Sequence, residues 1–208
     1  MSAASQEKIA QQLAEVTREL GRISGADAAA VLHDLAAGAV ESLPDATYAG
    51  ITEAHRDGKV RNVAGTHSVA TLLDQIQQQH RQGPCLAAAW ENHTVRVDDL
   101  ARETRWPDYC REVLAQSDVR SVLSFELFTG PKLSGALNFY AVEPNAFTPQ
   151  GVEIGLIFAT HTAKGIIMER FDVDAAHAFD LLKRLSQDTN TPLVEVAGQL
   201  VARNHPVR

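Results

Sequence analysis

Apolar residues recur at helical spacing over the first part of the chain. The first stripe alternates steps of four and three residues, the spacing of a coiled-coil or helix-bundle seam. It consists of Ile9, Leu13, Val16, Leu20 and Ile23. Ser24 and Gly25 interrupt it, and a second helical stripe then runs from Val31 to Leu43 behind Asp27, a candidate N-cap. The pattern predicts an N-terminal helix over residues 1–24 that forms the seam of a homodimer, followed by a helix that covers a sheet.

From Tyr48 the pattern changes to that of β-strands. Residues 48–52 and 59–63 flank Asp57-Gly58, which predicts a hairpin. Residues 94–97 form a further predicted strand, and residues 119–127 and 133–141 are two strong strands, expected to be central antiparallel neighbours. Helices are predicted over 69–80 and from Pro107 to about 117, with a short helical segment opening at Gly83-Pro84. The order of elements indicates an α+β domain with an antiparallel sheet.

The last long helix is expected to begin at Thr148-Pro149, an N-cap followed by a proline at the first helical position. No strong helix breaker follows until about Arg170. At about 1.5 Å per residue this helix would be roughly 33 Å long, enough to connect two modules.

Net charge, apolar run length and cysteine spacing limit the classes of function that this chain can have. The chain has 208 residues and a net charge of −7, yet residues 159–208 carry six Lys/Arg and six Asp/Glu, so the acidic excess belongs to residues 1–158. No run of about 18 apolar residues suggests a membrane span, and we expect a cytoplasmic protein without membrane contact. Cys85 and Cys110 lack disulfide or zinc-ligand spacing, so no metal site is predicted and both are expected to be reduced thiols.

Several blocks between residues 28 and 163 resemble a GAF domain in the family's order. These blocks are residues 82–86 (QGPCL), 95–100 (VRVDDL), 104–107 (TRWP), 119–124 (VRSVLS), 135–140 (GALNFY), 146–147 (AF) and 158–161 (FATH). The resemblance implies a sensory domain over residues 25–160, with an antiparallel sheet of about six strands, helices on both sides and a cleft for a small-molecule ligand. The sequence identifies no cofactor.

The C-terminal part resembles the ANTAR module, a three-helix RNA-binding unit of bacterial response proteins. Residues 163–170 (AKGIIMER), 178–182 (AFDLL) and 186–190 (SQDTN) carry this resemblance. Together the two resemblances imply an α+β fold, with a GAF-type antiparallel sheet flanked by helices and followed by a small three-helix ANTAR-like tail over residues 161–208. The linker that usually separates the two modules is shortened, because residue 163 runs directly into Lys164 and Gly165.

Polar side chains of the tail are the candidates for RNA contact. Cations mixed with amide and hydroxyl groups near a helix junction suit the phosphates and splayed bases of an RNA hairpin. The candidate residues are Lys164, Arg170, Lys183, Arg184, Ser186, Gln187 and Asn190. The alternative is that the last three only cap a helix end.

The sequence therefore favours a signal-responsive regulator that binds RNA stem-loops to control transcription antitermination, with the GAF domain as sensor. The alternative is a dimeric GAF sensory or interaction module whose truncated tail no longer binds RNA. An enzyme is not predicted, although some GAF-fold proteins reduce methionine sulfoxide with cysteines, and Cys85 near a helix start could serve that chemistry. Six side chains are open to two interpretations, as the lining of a ligand cleft or as core and rim. They are His55, His67, His80, Trp90, Trp106 and Tyr109.

Overall fold

The structure is a computed structural model that describes residues 28–43, 45–92, 94–129 and 132–171. Its elements, in chain order, are α1 (Ala28–Ser42), β1 (Tyr48–His55), β2 (Val60–Gly65), α2 (Ser68–His80), α3 (Pro84–Ala87), a π-helical turn (Ala88–Asn92), β3 (Thr94–Val97), α4 (Pro107–Gln116), β4 (Ser121–Thr129), β5 (Leu133–Ala141) and α5 (Pro149–Phe171). The helix predicted over residues 1–24 and the tail beyond Phe171 lie outside the described residues.

Five strands form one antiparallel sheet in the order β2-β1-β5-β4-β3. The hairpin predicted at Asp57-Gly58 is confirmed, and Gly58 has a φ of 91°, a backbone conformation that suits glycine because it has no Cβ. The strands predicted over 119–127 and 133–141 are confirmed as the neighbours β4 and β5. The described part of the sheet has five strands rather than about six. Residues 84–92 add none because Pro84 opens a helix there.

One face of the sheet packs against α1 and α5. The largest buried side chains of this core come from α5, from β4 and β5, from the residue after α1, and from the loop before α5. They include Leu43, Phe125, Leu127, Phe139, Phe147 and Phe158. The rings of Phe125 and Phe139 meet edge to face, with centroids 6.2 Å apart. Gly155 allows α5 to approach this pair, because a Cβ there would lie 2.5 Å from Phe125 Cε2.

The opposite face is covered by α2, α3, the π-helical turn and α4. Its apolar core includes Leu73, Ile76, Leu100, Val113 and Val122. Helix α2 lies close to the sheet because a Cβ at Gly50 of β1 would be only 3.0 Å from the Cβ of Ala70. Helices thus cover both faces, as the α+β pattern and the GAF resemblance imply.

The predicted helix boundaries agree with the structure to within a residue or two. Helix α2 begins after His67, whose ring nitrogen Nδ1 accepts the Val69 N–H at 3.2 Å. Helix α4 begins with Pro107 at its first position, as the sequence predicts. Among the helices of the described ranges, none is both long and apolar enough to cross a membrane.

Candidate functional site

Helix α5 connects the sheet to the C-terminal tail. Its first turn is capped by Thr148, whose Oγ1 accepts the Gly151 N–H at 3.1 Å. Phe158, Ala159 and Thr162 are all buried, and Thr162 donates its hydroxyl hydrogen to the Phe158 carbonyl at 2.9 Å. The middle of α5 is therefore packed into the apolar core on one face of the sheet, and the helix continues from there to Phe171.

The predicted RNA-binding residues fall on both sides of the point where the description ends. Lys164 and Arg170 belong to α5. The other five, Lys183, Arg184, Ser186, Gln187 and Asn190, lie outside the described residues. Their grouping at one helix junction stays a prediction.

Two large apolar side chains of α5 face away from the core. Leu156 and Ile157 are 42% and 45% exposed, although they lie between the buried residues Ile154 and Phe158. Contiguous exposed apolar surface can mark a site of contact with another protein.

A buried polar cluster lies on the other face of the sheet, centred on Asp74 of α2. The hydroxyl of Thr52 donates to both carboxyl oxygens of Asp74, at 3.0 and 2.8 Å. The side-chain amides of Asn62 and Gln77 also donate to this carboxyl group, at 2.9 and 3.3 Å. Asp74 is thus linked to β1, to β2 and to the next turn of its own helix.

The cluster continues across the sheet and along the chain. The side-chain amide of Asn138 on β5 donates to Thr52 Oγ1 at 3.0 Å, which links β5 to β1. Gln77 Oε1 accepts the Cys85 N–H at 2.9 Å, which links α2 to the start of α3. Gly83 makes this contact close, because a Cβ there would lie 2.5 Å from Gln77 Cγ.

Four buried polar atoms near this cluster have no hydrogen-bond partner among the described residues. They are Tyr109 Oη, Ser124 Oγ, Asn138 Oδ1 and Tyr140 Oη. Buried polar groups are nearly always paired, so several unpaired ones on one face suggest a functional use. Ser124 and Asn138 are direct cross-strand partners, and Tyr140 is two residues along the same strand.

Burial governs the electrostatics of this face. Loss of contact with water raises the pKa of Asp74 to about 7, while hydrogen bonds from Asn62, Thr52 and Gln77 act in the opposite direction. Burial also raises the pKa of the Tyr109 and Tyr140 phenols, and the negative charge of Asp74 adds to both shifts.

Neither cysteine has the environment of a reactive thiolate. Burial, with the nearby Asp74 carboxylate, raises the pKa of the Cys85 thiol far above its ordinary value. Burial raises the pKa of Cys110 to about 11, with the Glu103 carboxylate contributing. The position of Cys85 at the start of α3 does not offset these effects, because that helix is only four residues long. Within the described ranges, no group of three or more His, Cys, Asp or Glu side chains is arranged to hold a metal ion.

Five of the six aromatic and histidine residues considered for the cleft are exposed or only partly buried. His67 stacks on Tyr48 with centroids 4.7 Å apart, and His80 pairs with Glu112. Trp90 and Trp106 lie under the guanidinium groups of Arg56 and Arg105, at 4.5 and 4.4 Å, and His55 is half-buried at the end of β1. Tyr109 is the one of the six that is fully buried, and Trp106 packs partly buried against the same core.

The sequence interpretation missed Asp74 and Gln77. Both lie on the inward side of α2 with Ala70 and Leu73. Asp74 is four residues from Ala70 and Gln77 is seven, so the helical period placed both on the buried stripe. A charged residue at such a position was the signal that could have identified them.

Comparison with known families gives two matches along this chain. The model described as GAF domain matches residues 3–166, and the model described as ANTAR domain matches residues 159–201. The matches overlap at residues 159–166, which lie within α5, and no linker separates them. No curated protein sequence matches this chain.

Several solved structures share the fold of the part of this chain that contains the sheet and its covering helices. The GAF domain of a phosphoenolpyruvate-protein phosphotransferase from Coxiella burnetii is 17% identical, with a TM-score of 0.58 over 83% of this chain and 98% of that chain. Free methionine-R-sulfoxide reductase from Neisseria meningitidis, solved with its substrate, is 15% identical, with a TM-score of 0.59 over 83% and 96%. The phycoerythrobilin-bound GAF domain of a cyanobacterial phytochrome is 16% identical, with a TM-score of 0.56 over 80% and 97%. At these identities the likeness extends to the fold alone.

Proposed function

This chain belongs to the GAF domain family and carries an ANTAR domain at its C-terminal end, and we propose that it is a cytoplasmic, signal-responsive regulator. In this proposal the ANTAR domain binds an RNA stem-loop so that transcription continues past a terminator, and the GAF domain senses the signal. The observation that carries the proposal is the single helix α5, which belongs to both family matches.

The coupling between the two domains follows from how α5 is held. Ala159 and Thr162 fall within the ANTAR match, yet they are buried in the core beneath the sheet. A change in the packing of the GAF domain therefore acts directly on the first residues of the RNA-binding domain. A rigid helix transmits such a change, whereas a flexible linker would absorb it.

The proposed action makes or breaks no covalent bond. The buried thiols support this, because the raised pKa values of Cys85 and Cys110 leave few thiolate anions near neutral pH. The hydroxyl-rich and amide-rich interior beneath α2 supports a role as a sensor, since buried polar atoms without partners often mark a functional site.

We propose a homodimer as the working form. Leu156 and Ile157 give α5 an exposed apolar pair, and the apolar stripe from Ile9 to Ile23 predicts a second apolar surface from the sequence. A second copy of the chain fits both surfaces, because the same pair is repeated across a twofold axis.

In sedimentation of the full-length protein, replacing both Leu156 and Ile157 by glutamate should shift the dimer toward monomer. The matched change Leu114→Glu, on the exposed side of α4, should leave the dimer intact.

RNA binding is tested by titrating the full-length protein with a transcript that contains two hairpins, at several salt concentrations. Binding through phosphates should weaken steeply with salt, and each lost contact should lower the logarithmic salt slope by roughly 0.7 to 0.9. Lys164→Ala and Lys183→Ala should therefore reduce both affinity and slope. Lys59→Ala is the matched control, because Lys59 is an exposed lysine of the GAF hairpin paired with Asp57.

The second candidate function is a dimeric GAF sensory module whose tail has lost RNA recognition. The equal numbers of acidic and basic residues in 159–208 favour it, since nucleic-acid affinity depends on an excess of cations. Absence of hairpin binding at low salt would select this candidate. An equal effect of the Lys59 and Lys164 changes would show that binding is nonspecific.

A further inference from the structure

Asp74 is a fully buried carboxyl group whose hydrogen-bond partners are all neutral. None of the Lys, Arg or His side chains that the structure describes bonds to it. Burying a charge without a counter-charge is costly, and such groups usually take up or lose a proton instead. We propose that Asp74 is a proton-responsive switch of the GAF domain: it holds a proton in the tightly packed domain, and its ionisation loosens the α2–α3 segment from the sheet.

The donors and acceptors around Asp74 can be arranged in two ways, depending on whether Asp74 is ionised or protonated. With Asp74 ionised, Thr52 donates to the carboxylate and accepts from the Asn138 amide, which leaves Asn138 Oδ1 and Ser124 Oγ unpaired. With Asp74 protonated, its O–H donates to Thr52 Oγ1 and the Thr52 hydroxyl turns to Asn138 Oδ1. This requires the side-chain amide of Asn138 to rotate by half a turn, so that Oδ1 takes the place of the amide nitrogen beside Thr52. Both arrangements keep Thr52 bonded to Asp74 and to Asn138.

The groups that face Asp74 from each packed element give an ionised carboxylate no cation. From β1 and β2 come Thr52 and Asn62, and from α3 comes the thiol of Cys85. From α4 and β5 come the phenols of Tyr109 and Tyr140, and Glu126 of β4 lies on the same face of the sheet. The ion pair of Glu53 on β1 with Arg61 on β2 lies at the exposed surface of the hairpin. None of the described groups that bond to Asp74 carries a positive charge, so its ionisation adds a negative charge that these partners do not balance.

Gln77 connects the charge of Asp74 to the loop between α2 and α3. Its amide nitrogen donates to Asp74, and its amide oxygen accepts the Cys85 N–H. The loop itself has two residues with positive φ, Arg81 at 52° and Gly83 at 141°. Because Gln77 packs directly on Gly83, a shift of Gln77 changes both the first turn of α3 and the loop before it.

The proposal fixes the sign of a pH effect. The pKa of Asp74 is about 7 in the folded domain and 3.8 in the unfolded chain, so the folded state binds more protons between those values. Stability from this group is full below about pH 4 and is lost as the pH rises toward and through 7. The unfolding equilibrium constant should rise by up to about tenfold per pH unit in this window, reaching a total of roughly 10³-fold.

The experiment compares denaturant unfolding of the full-length protein with Asp74→Asn and with Asp118→Asn between pH 5 and 8.5. Asparagine is neutral at every pH, so Asp74→Asn should remove the rise of the unfolding constant and be more stable than wild type above pH 7. Asp118 is exposed, and its variant should follow the wild-type profile. Parallel profiles for wild type and Asp74→Asn would overturn the proposal.

Two further measurements keep the proposal testable if Asp74→Asn fails to fold. Carbon-13 NMR of the aspartate side chains in wild-type protein should show one carboxyl group that titrates near neutral pH. Hydrogen exchange of the amides from Gln77 to Cys85 should quicken above pH 7 by more than the intrinsic base-catalysed rate. A carboxyl group that titrates near 4, or unchanged protection of these amides, would contradict the switch. None of these readouts depends on RNA binding, so the proposal stands or falls separately from the proposed function.

Discussion

The contact between α5 and the sheet predicts that a single methyl group at Gly155 destabilises the domain. Glycine in a helix interior ordinarily gains stability when it becomes alanine, by about 0.8–1 kcal/mol. At Gly155, however, the new Cβ would lie 2.5 Å from Phe125 Cε2 and 2.9 Å from its Cζ. Ordinary carbon contacts are about 3.5–4.0 Å, so the ring would have to move by roughly 1 Å.

Phe125 has little room for this movement. It is 1% exposed, and its ring rests edge to face on Phe139, which is itself buried. Overpacking of a well-filled core costs about 1–3 kcal/mol, which exceeds the gain in helix propensity over most of that range. Gly155→Ala is therefore expected to lower the free energy of unfolding by up to about 2 kcal/mol.

Gly38 on α1 provides the matched control. A Cβ there meets nothing within 4 Å, so Gly38→Ala should show the helix gain without the clash. The two variants should differ by about 1–3 kcal/mol, which corresponds to roughly 2–12 °C in melting temperature for a chain of this length.

Urea unfolding and thermal unfolding of both variants, followed by circular dichroism, measure this difference. If Gly155→Ala were stabilised as much as Gly38→Ala, α5 would not approach β4 as the structure has it. A rigid connection between the two domains through α5 would then lose its support as well.

Three other experiments test separate parts of the structure. Thr148→Ala should cost about 0.5–2 kcal/mol of unfolding free energy because the N-cap of α5 is lost, whereas Thr148→Ser should keep it; equal losses would show that the hydroxyl does not cap. Gly83→Ala should destabilise by at least about 2 kcal/mol, since its φ of 141° strains an alanine and the new Cβ meets Gln77 at 2.5 Å; a neutral result in urea would contradict this close approach. A thiol reagent at pH 8 should modify Cys85 and Cys110 in the native protein more than about 100-fold slower than in the unfolded chain, because burial raises both pKa values; rapid native labelling would reopen the enzymatic interpretation.

The sequence predicted most of the fold because its local signals agreed with one another. Gly58 in the hairpin, Pro107 at the start of α4 and Thr148-Pro149 before α5 each combine a backbone preference with an apolar pattern on either side. The blocks of GAF and ANTAR resemblance were likewise readable in the chain, and both family matches agree with them.

The interior site was not predictable in the same way. Thr52 bonds to Asp74, which is 22 residues away, and to Asn138, which is 86 residues away. Only the strand order brings these residues together. Histidine and tryptophan residues were candidates because of their chemistry, but Trp90 and Trp106 are partly buried and lie under neighbouring arginine side chains.

Sequence alone determined the class of the domain, the order of its elements, and the continuous helix into the ANTAR domain, because these depend on periodicity and turn residues within short segments. Tertiary structure decided which polar residues lose contact with water. Solvation depends on neighbours supplied by distant strands and helices, so the raised pKa values of Asp74 and of both thiols arise only when the sheet and its covering helices are assembled.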